Sequence, residues 1–174
     1  PYDVVKENVA ATGYGMDKLG AVLGTQVKAG WKVLLTDACH SGKVTPESTQ
    51  EAVYSGFQKL PPSFLTLTSS RESEVSFEDP NLSGGYGLFS YFLVQGWQGY
   101  ADVDPRDGVV TADELIDYVR REVRSYARSK GAAQTPTERG DFPSDMMLGF
   151  SQDRRAQLIT TSGAPLANGN VVIE

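Results

Sequence analysis

Residues 34–42 read LLTDACHSG, an apolar run that leads directly into the only cysteine of the chain and then into its only histidine. The run begins at Trp31 and is almost unbroken to Thr36, which is typical of a strand covered on both faces in a parallel sheet. Ligands bind beyond the carboxyl ends of such strands. Cys39 is therefore a candidate nucleophile at the end of a strand over residues 32–37. A buried cysteine that only fills space is the alternative.

Helices and strands alternate on both sides of this stretch. Apolar spacing predicts helices over residues 15–30 and 87–98 and from Thr111 onward, and further strands over residues 64–68 and 146–150. Thr111 and Glu114 have the spacing of a capping box. Residues 43–61 are predicted to form a long loop. The alternation predicts an α/β domain with a mostly parallel central sheet flanked by helices.

The composition narrows the class of protein. The 174 residues are 40% hydrophobic and 22% charged, which suits one soluble globular domain. The sequence contains no run of about 18 apolar residues, so no membrane span is predicted. The net charge of −6 disfavours nucleic acid as a partner. A single cysteine excludes an internal disulfide framework and favours a reducing compartment, so we expect a cytoplasmic protein.

Both ends of the sequence suggest a longer polypeptide. The chain begins at Pro1 and ends inside an apolar run at residues 171–174 that is typical of a strand. We interpret residues 1–150 as the main domain and residues 151–174 as a linker with the start of a following β segment.

The segment DACHSG, residues 37–42, resembles the motif around the nucleophile of metacaspases and other bacterial caspase-like cysteine peptidases (peptidase C14). Three further segments are similar to parts of that family. They are TSSRESEVSFE at residues 68–78, which looks like a strand end and the substrate-binding loop, GLFSYFL at 87–93, and QTP at 134–136. The resemblance covers roughly residues 1–150 and implies a caspase-like (caspase-hemoglobinase) fold in a bacterial cysteine endopeptidase.

A nucleophilic thiol needs a base or a positive neighbour to raise its thiolate fraction. His40 directly follows Cys39, and successive side chains diverge in extended backbone, so we predict a structural role for His40. In the resembled family the histidine lies upstream of the cysteine, by about 50 residues in caspases, which here would precede Pro1. The resemblance thus implies that an N-terminal segment of the same precursor supplies the histidine. The alternative is a catalytically inactive scaffold or interaction domain of a larger protein.

Asp37 is the candidate for substrate selection. Caspases have glutamine two residues before the cysteine, whereas metacaspases have an aspartate that lines a pocket for arginine or lysine. A carboxylate with no cation beside it favours a cationic side chain, and arginine can bind it with two parallel hydrogen bonds. We therefore expect a peptide or protein substrate cleaved after arginine or lysine. Glu74 and Ser76 are further candidates for the pocket wall, and a turn-capping role is the alternative for Asp37.

No metal centre or cofactor is predicted, although calcium stays open. The segment DVDPRDG at residues 102–108, followed by Glu114, imitates a calcium loop with Gly108 at its sixth position. Asp104 then falls at the second position and Asp102 outside the loop, which has one residue too many. A solvated acidic turn is the alternative. Many metacaspases need calcium through an acidic cluster in the loop after the second strand. Glu72 matches one such position here, but Ser73 replaces the next acid, and Pro46 takes the place of another acid beyond the cysteine.

Overall fold

The computed structural model describes residue 5 and residues 8–12, 16–37, 64–71, 74–82 and 86–152. In chain order the helices are α1 Val9–Thr12, α2 Met16–Ala21, α3 Leu88–Gln95 and α4 Ala112–Ser129. Wider π-helical turns continue α2 through Val22–Gln26 and α3 through Gly96–Tyr100. The strands are β1 Lys32–Thr36, β2 Phe64–Thr68, β3 Val109–Thr111, β4 Thr137–Arg139 and β5 Met147–Phe150.

Strand β2 lies between β1 and β4 in a three-stranded sheet. It runs parallel to β1, with Lys32 opposite Phe64, and antiparallel to β4, with Thr68 opposite Thr137. All five residues of β2 are buried, as a strand covered on both faces should be. The α/β class is thereby confirmed, while parallel pairing among the described strands is confined to β1 and β2.

The predicted strand at residues 146–150 forms, but it does not join this sheet. As β5 it pairs antiparallel with β3 in a separate two-stranded sheet, with Val110 opposite Gly149. A parallel strand needs a crossover of roughly a dozen residues or more. The connection over residues 140–146 is too short for a parallel crossover after β4, and β5 pairs with β3 instead.

Helices α3 and α4 pack together and supply most of the buried core. Their buried apolar side chains include Leu88, Phe89, Phe92, Leu93, Leu115, Ile116, Val119 and Val123. The predicted capping box at the start of α4 is confirmed: Thr111 Oγ1 accepts from the Glu114 N–H at 3.4 Å, and Glu114 Oε2 accepts from the Thr111 N–H at 2.9 Å. Within the described ranges, no helix is both long and apolar enough to cross a membrane.

Asp79 ties the segment after β2 to the end of α4. Its buried carboxylate accepts hydrogen bonds from the Tyr126 hydroxyl at 2.7 Å and from the Asn81 N–H at 2.8 Å, and it pairs with Lys130 Nζ at 3.1 Å. The Tyr126 bond, followed by those from Asn81 and Lys130, favours the charged form and holds the pKa of Asp79 well below its usual range.

We expect Asp79→Asn to destabilise the protein at neutral pH but not in strong acid. Since the folded-state pKa of Asp79 is lowered, its stabilisation is fully present above the unfolded-state pKa of about 3.9 and is lost as the pH falls toward the folded-state value. Urea denaturation of the wild type and of Asp79→Asn, from pH 7 down to about pH 2, measures the difference. The exposed Asp141→Asn is the control. A difference that stays constant over the whole pH range would contradict the charge-based explanation.

Candidate active site

The carboxyl end of β1 positions the first residue of the predicted site. The Thr36 carbonyl accepts a hydrogen bond from the Ser69 N–H at 3.0 Å, so β1 and β2 stay paired up to the point where Asp37 follows. The half-buried Asp37 is described, whereas Cys39 and His40 lie outside the described residues, as do the rest of residues 38–63. The structure thus positions the predicted specificity residue, two residues before the predicted nucleophile.

The Asp37 carboxylate reaches the start of helix α3. Its Oδ2 accepts hydrogen bonds from the Ser90 Oγ at 2.7 Å and from the Ser90 N–H at 3.3 Å. Gly87 precedes the helix and caps it with no side chain, and a Cβ at Gly87 would collide with Asp37 Oδ2. Asp37 therefore caps α3 from a distant part of the chain, since the first backbone N–H groups of a helix have no partner within it. Asp37 thus has a capping role, as in the alternative interpretation, but only one of its two carboxylate oxygens takes part in the cap.

The second oxygen of this carboxylate is buried and has no hydrogen-bond partner among the described residues. No described cation pairs with Asp37 either; the ion pairs of the described chain lie elsewhere. An unpartnered buried carboxylate oxygen is unfavourable, and a cationic donor would relieve that cost. Asp37 Oδ1 can thus accept a further hydrogen bond, and a positively charged donor would make the strongest one.

Glu74 and Ser76 are both held by neighbouring segments. The Glu74 carboxylate accepts from the Thr135 N–H at 2.5 Å and from the Thr135 hydroxyl at 3.0 Å. Ser76 is buried, with its Oγ 2.5 Å from the Oγ of Ser69. Within the described chain the hydrogen bonds of Asp37 come from Ser90, and neither Glu74 nor Ser76 donates to it. In this conformation the hydrogen bonds of Glu74 and Ser76 hold the segment after β2 in place.

Two residues support this region without having been predicted to do so. Gln134 is buried; its Nε2 donates to the Ser69 carbonyl at 3.0 Å and its Oε1 accepts from the Phe77 N–H at 2.8 Å. Ser90 orients Asp37. A signal for Ser90 exists in the sequence, because it is a polar residue in the first turn of an otherwise apolar helix. Its partner could not be found that way, since Asp37 lies 53 residues earlier.

Metal ligands are not grouped in the described ranges. No three histidine, cysteine, aspartate or glutamate side chains there lie in positions that could together hold a metal ion. Comparisons of the chain with protein-family models, with curated proteins and with solved structures find no match.

Proposed function

We propose that this chain is the nucleophile-bearing part of a caspase-like cysteine endopeptidase that cleaves peptide bonds after arginine or lysine. The observation that supports the proposal most directly is the unpartnered, buried Asp37 Oδ1 at the carboxyl end of β1. Ligands of open α/β sheets bind at such strand ends. A guanidinium or ammonium group of the substrate would supply the donor that this oxygen lacks.

In the proposed reaction Cys39 attacks the carbonyl carbon of the bond that follows the basic residue. A histidine accepts the thiol proton and passes it to the leaving amine, and water then hydrolyses the acyl-enzyme. The Cys39 backbone N–H would donate to the developing oxyanion. Asp37 binds the side chain of the basic residue and so sets which carbonyl reaches the thiol.

In this proposal the histidine lies beside the edge of β1 that no described strand covers. Among the described strands β1 pairs with β2 alone, and Val33 of β1 remains 38% exposed while all of β2 is buried. Because the Thr36 carbonyl points toward β2, the N–H and C=O groups of Val33 and Leu35 point to the opposite edge. A parallel strand added there, about 4.8 Å away, would end next to Asp37. An N-terminal segment of the precursor that carries the histidine would fit this edge.

An active-site label tests the proposal. We expect the chain, produced together with the residues that precede it in its precursor, to react covalently at Cys39 with an electrophile that carries arginine. The Cys39→Ala protein should not react, and the same electrophile with aspartate should react far more slowly. Intact-mass and peptide-mass spectrometry locate the adduct. Failure of the arginine probe to label the precursor would favour an inactive scaffold, and faster labelling by the aspartate probe would overturn the predicted specificity.

A further inference from the structure

The acidic turn before β3 is not simply solvated. Asp102 is only 8% exposed, and its Oδ2 accepts a hydrogen bond from the Gly108 N–H at 3.0 Å. Its other oxygen, Oδ1, is buried and has no hydrogen-bond partner among the described residues. Gly108 has a φ of 85°, a conformation that favours glycine. The Asp102 carboxylate therefore lies inside the turn that it closes.

This turn is held firmly at both ends. The Asp102 N–H donates to the Gly99 carbonyl at 3.1 Å, and the Ser151 N–H donates to the Gly108 carbonyl at 3.0 Å. Val110, two residues beyond the turn, is fully buried. The position of Asp102 is thus fixed by the core, so its unpartnered oxygen cannot easily rotate out to water.

A buried carboxylate oxygen without a partner is stabilised by a hydrogen-bond donor or by a cation. The ion pairs of the described chain do not include Asp102. Oxygen ligands of this kind suit hard cations, and calcium accepts six to eight oxygens in flexible geometry, including backbone carbonyls and water. Magnesium demands a near-ideal octahedron and gives up its water reluctantly, so calcium fits an irregular turn better.

The Asp102–Gly108 hydrogen bond also changes the alignment with a calcium loop. Counting back from Gly108 leaves Asp102 outside the loop, whereas the structure shows that Asp102 is the residue bonded to that glycine. Counted from Asp102, the exposed Asp104 takes the third position, where calcium loops place their second carboxylate. Glu114 falls at the thirteenth position in this count, and its Oε2 accepts from both the N–H and the hydroxyl of Thr111, so we do not assign it as a ligand.

We propose that the turn Asp102–Gly108 binds one calcium ion, with Asp102 Oδ1 as the buried ligand and Asp104 as the second carboxylate. Backbone carbonyls and water complete the coordination. Since the described acids are not grouped in threes, the charge of the site is low. Calcium loops with fewer charged ligands bind calcium more weakly, so we expect a Kd of about 10⁻⁴ to 10⁻³ M.

Calcium titration of the whole chain tests the site independently of any peptidase activity. We expect calcium at ten times the Kd to raise the Tm by about 4 °C, with a matching heat of binding in calorimetry. Equal magnesium should have little effect. Asp102→Asn should lose both responses, and Asp117→Asn, at an exposed acid of α4 beyond the loop, should keep them.

Asp104→Asn gives a second measurement, because an exposed side chain can be changed without disturbing the fold. We expect it to weaken calcium binding about tenfold or more, as loss of a charged ligand should. The proposal is overturned if calcium at about 10 mM leaves the wild-type Tm unchanged, or if Asp102→Asn responds as the wild type does. Either result would mean that Asp102 only stabilises the turn through its hydrogen bond with Gly108.

Discussion

Replacing Gly140 with alanine is expected to destabilise the protein by at least about 4 kcal/mol, enough to unfold many domains of this size. Gly140 directly follows β4 and has a φ of 121°, where an L side chain is strained. Its Cβ would also overlap the backbone carbonyl oxygen of Phe64, the first residue of β2. Backbone cannot move aside as a side chain tip can, so the clash would push β4 away from the buried central strand.

Gly131→Ala measures the cost of backbone strain without the steric overlap that is present at Gly140. Gly131 also has a positive φ, 72°, but a Cβ there meets no atom within 4 Å. We expect it to cost only about 1 to 2 kcal/mol, the penalty of the left-handed conformation. Urea denaturation of both variants measures the two free energies of unfolding. Equal losses would mean that the end of β4 does not approach Phe64 as closely as the structure has it.

The elements that the sequence predicted well are those defined by local patterns. Strand β2 was predicted at residues 64–68, where it forms, because its apolar run is short and flanked by prolines and serines. The start of α4 followed from Thr111 and Glu114, whose side chains bond within one helical turn. Such signals need no knowledge of the rest of the chain.

The elements that the sequence did not predict depend on distant partners. Strand β4 is Thr137–Arg139, three polar residues that become a strand only because β2 has an edge to pair with. Strand β5 was predicted as a strand but not as the partner of β3, since pairing is a property of two separate segments. Propensity in strands is largely a matter of such context.

The same limit applies to the candidate site. The sequence places the carboxyl group of Asp37 at a strand end, but it does not show that its two oxygens have different surroundings. Ser90 takes Oδ2, the bare Gly87 lets the carboxylate approach the helix, and Oδ1 is left without a described partner. A capping role and a binding role, which were alternatives in the sequence, are compatible in the structure.

In the proposed peptidase, Asp37→Asn is expected to lower kcat/KM for an arginyl substrate by about 10²-fold to 10³-fold, since it removes the charge that pairs with the substrate cation. The amide can still accept from Ser90, so the fold and the cap of α3 should persist. Ser90→Ala should cost less, about tenfold and mainly in KM, because it loosens the carboxylate without removing it. The exposed Ser125→Ala serves as the control and should behave as the wild type.

A small uncharged alkylating agent distinguishes an effect of Asp37 on substrate binding from an effect on the reactivity of Cys39. Iodoacetamide has no cationic group for Asp37 to bind, so its rate with Cys39 should be nearly the same in the wild type and in Asp37→Asn. If Asp37→Asn slowed that reaction as much as it slowed hydrolysis of the arginyl substrate, Asp37 would act on the thiol and not on the substrate side chain. The selectivity for basic residues would then need another source. Because Asp37 Oδ1 is buried and no described cation pairs with this carboxylate, we expect the two rates to diverge.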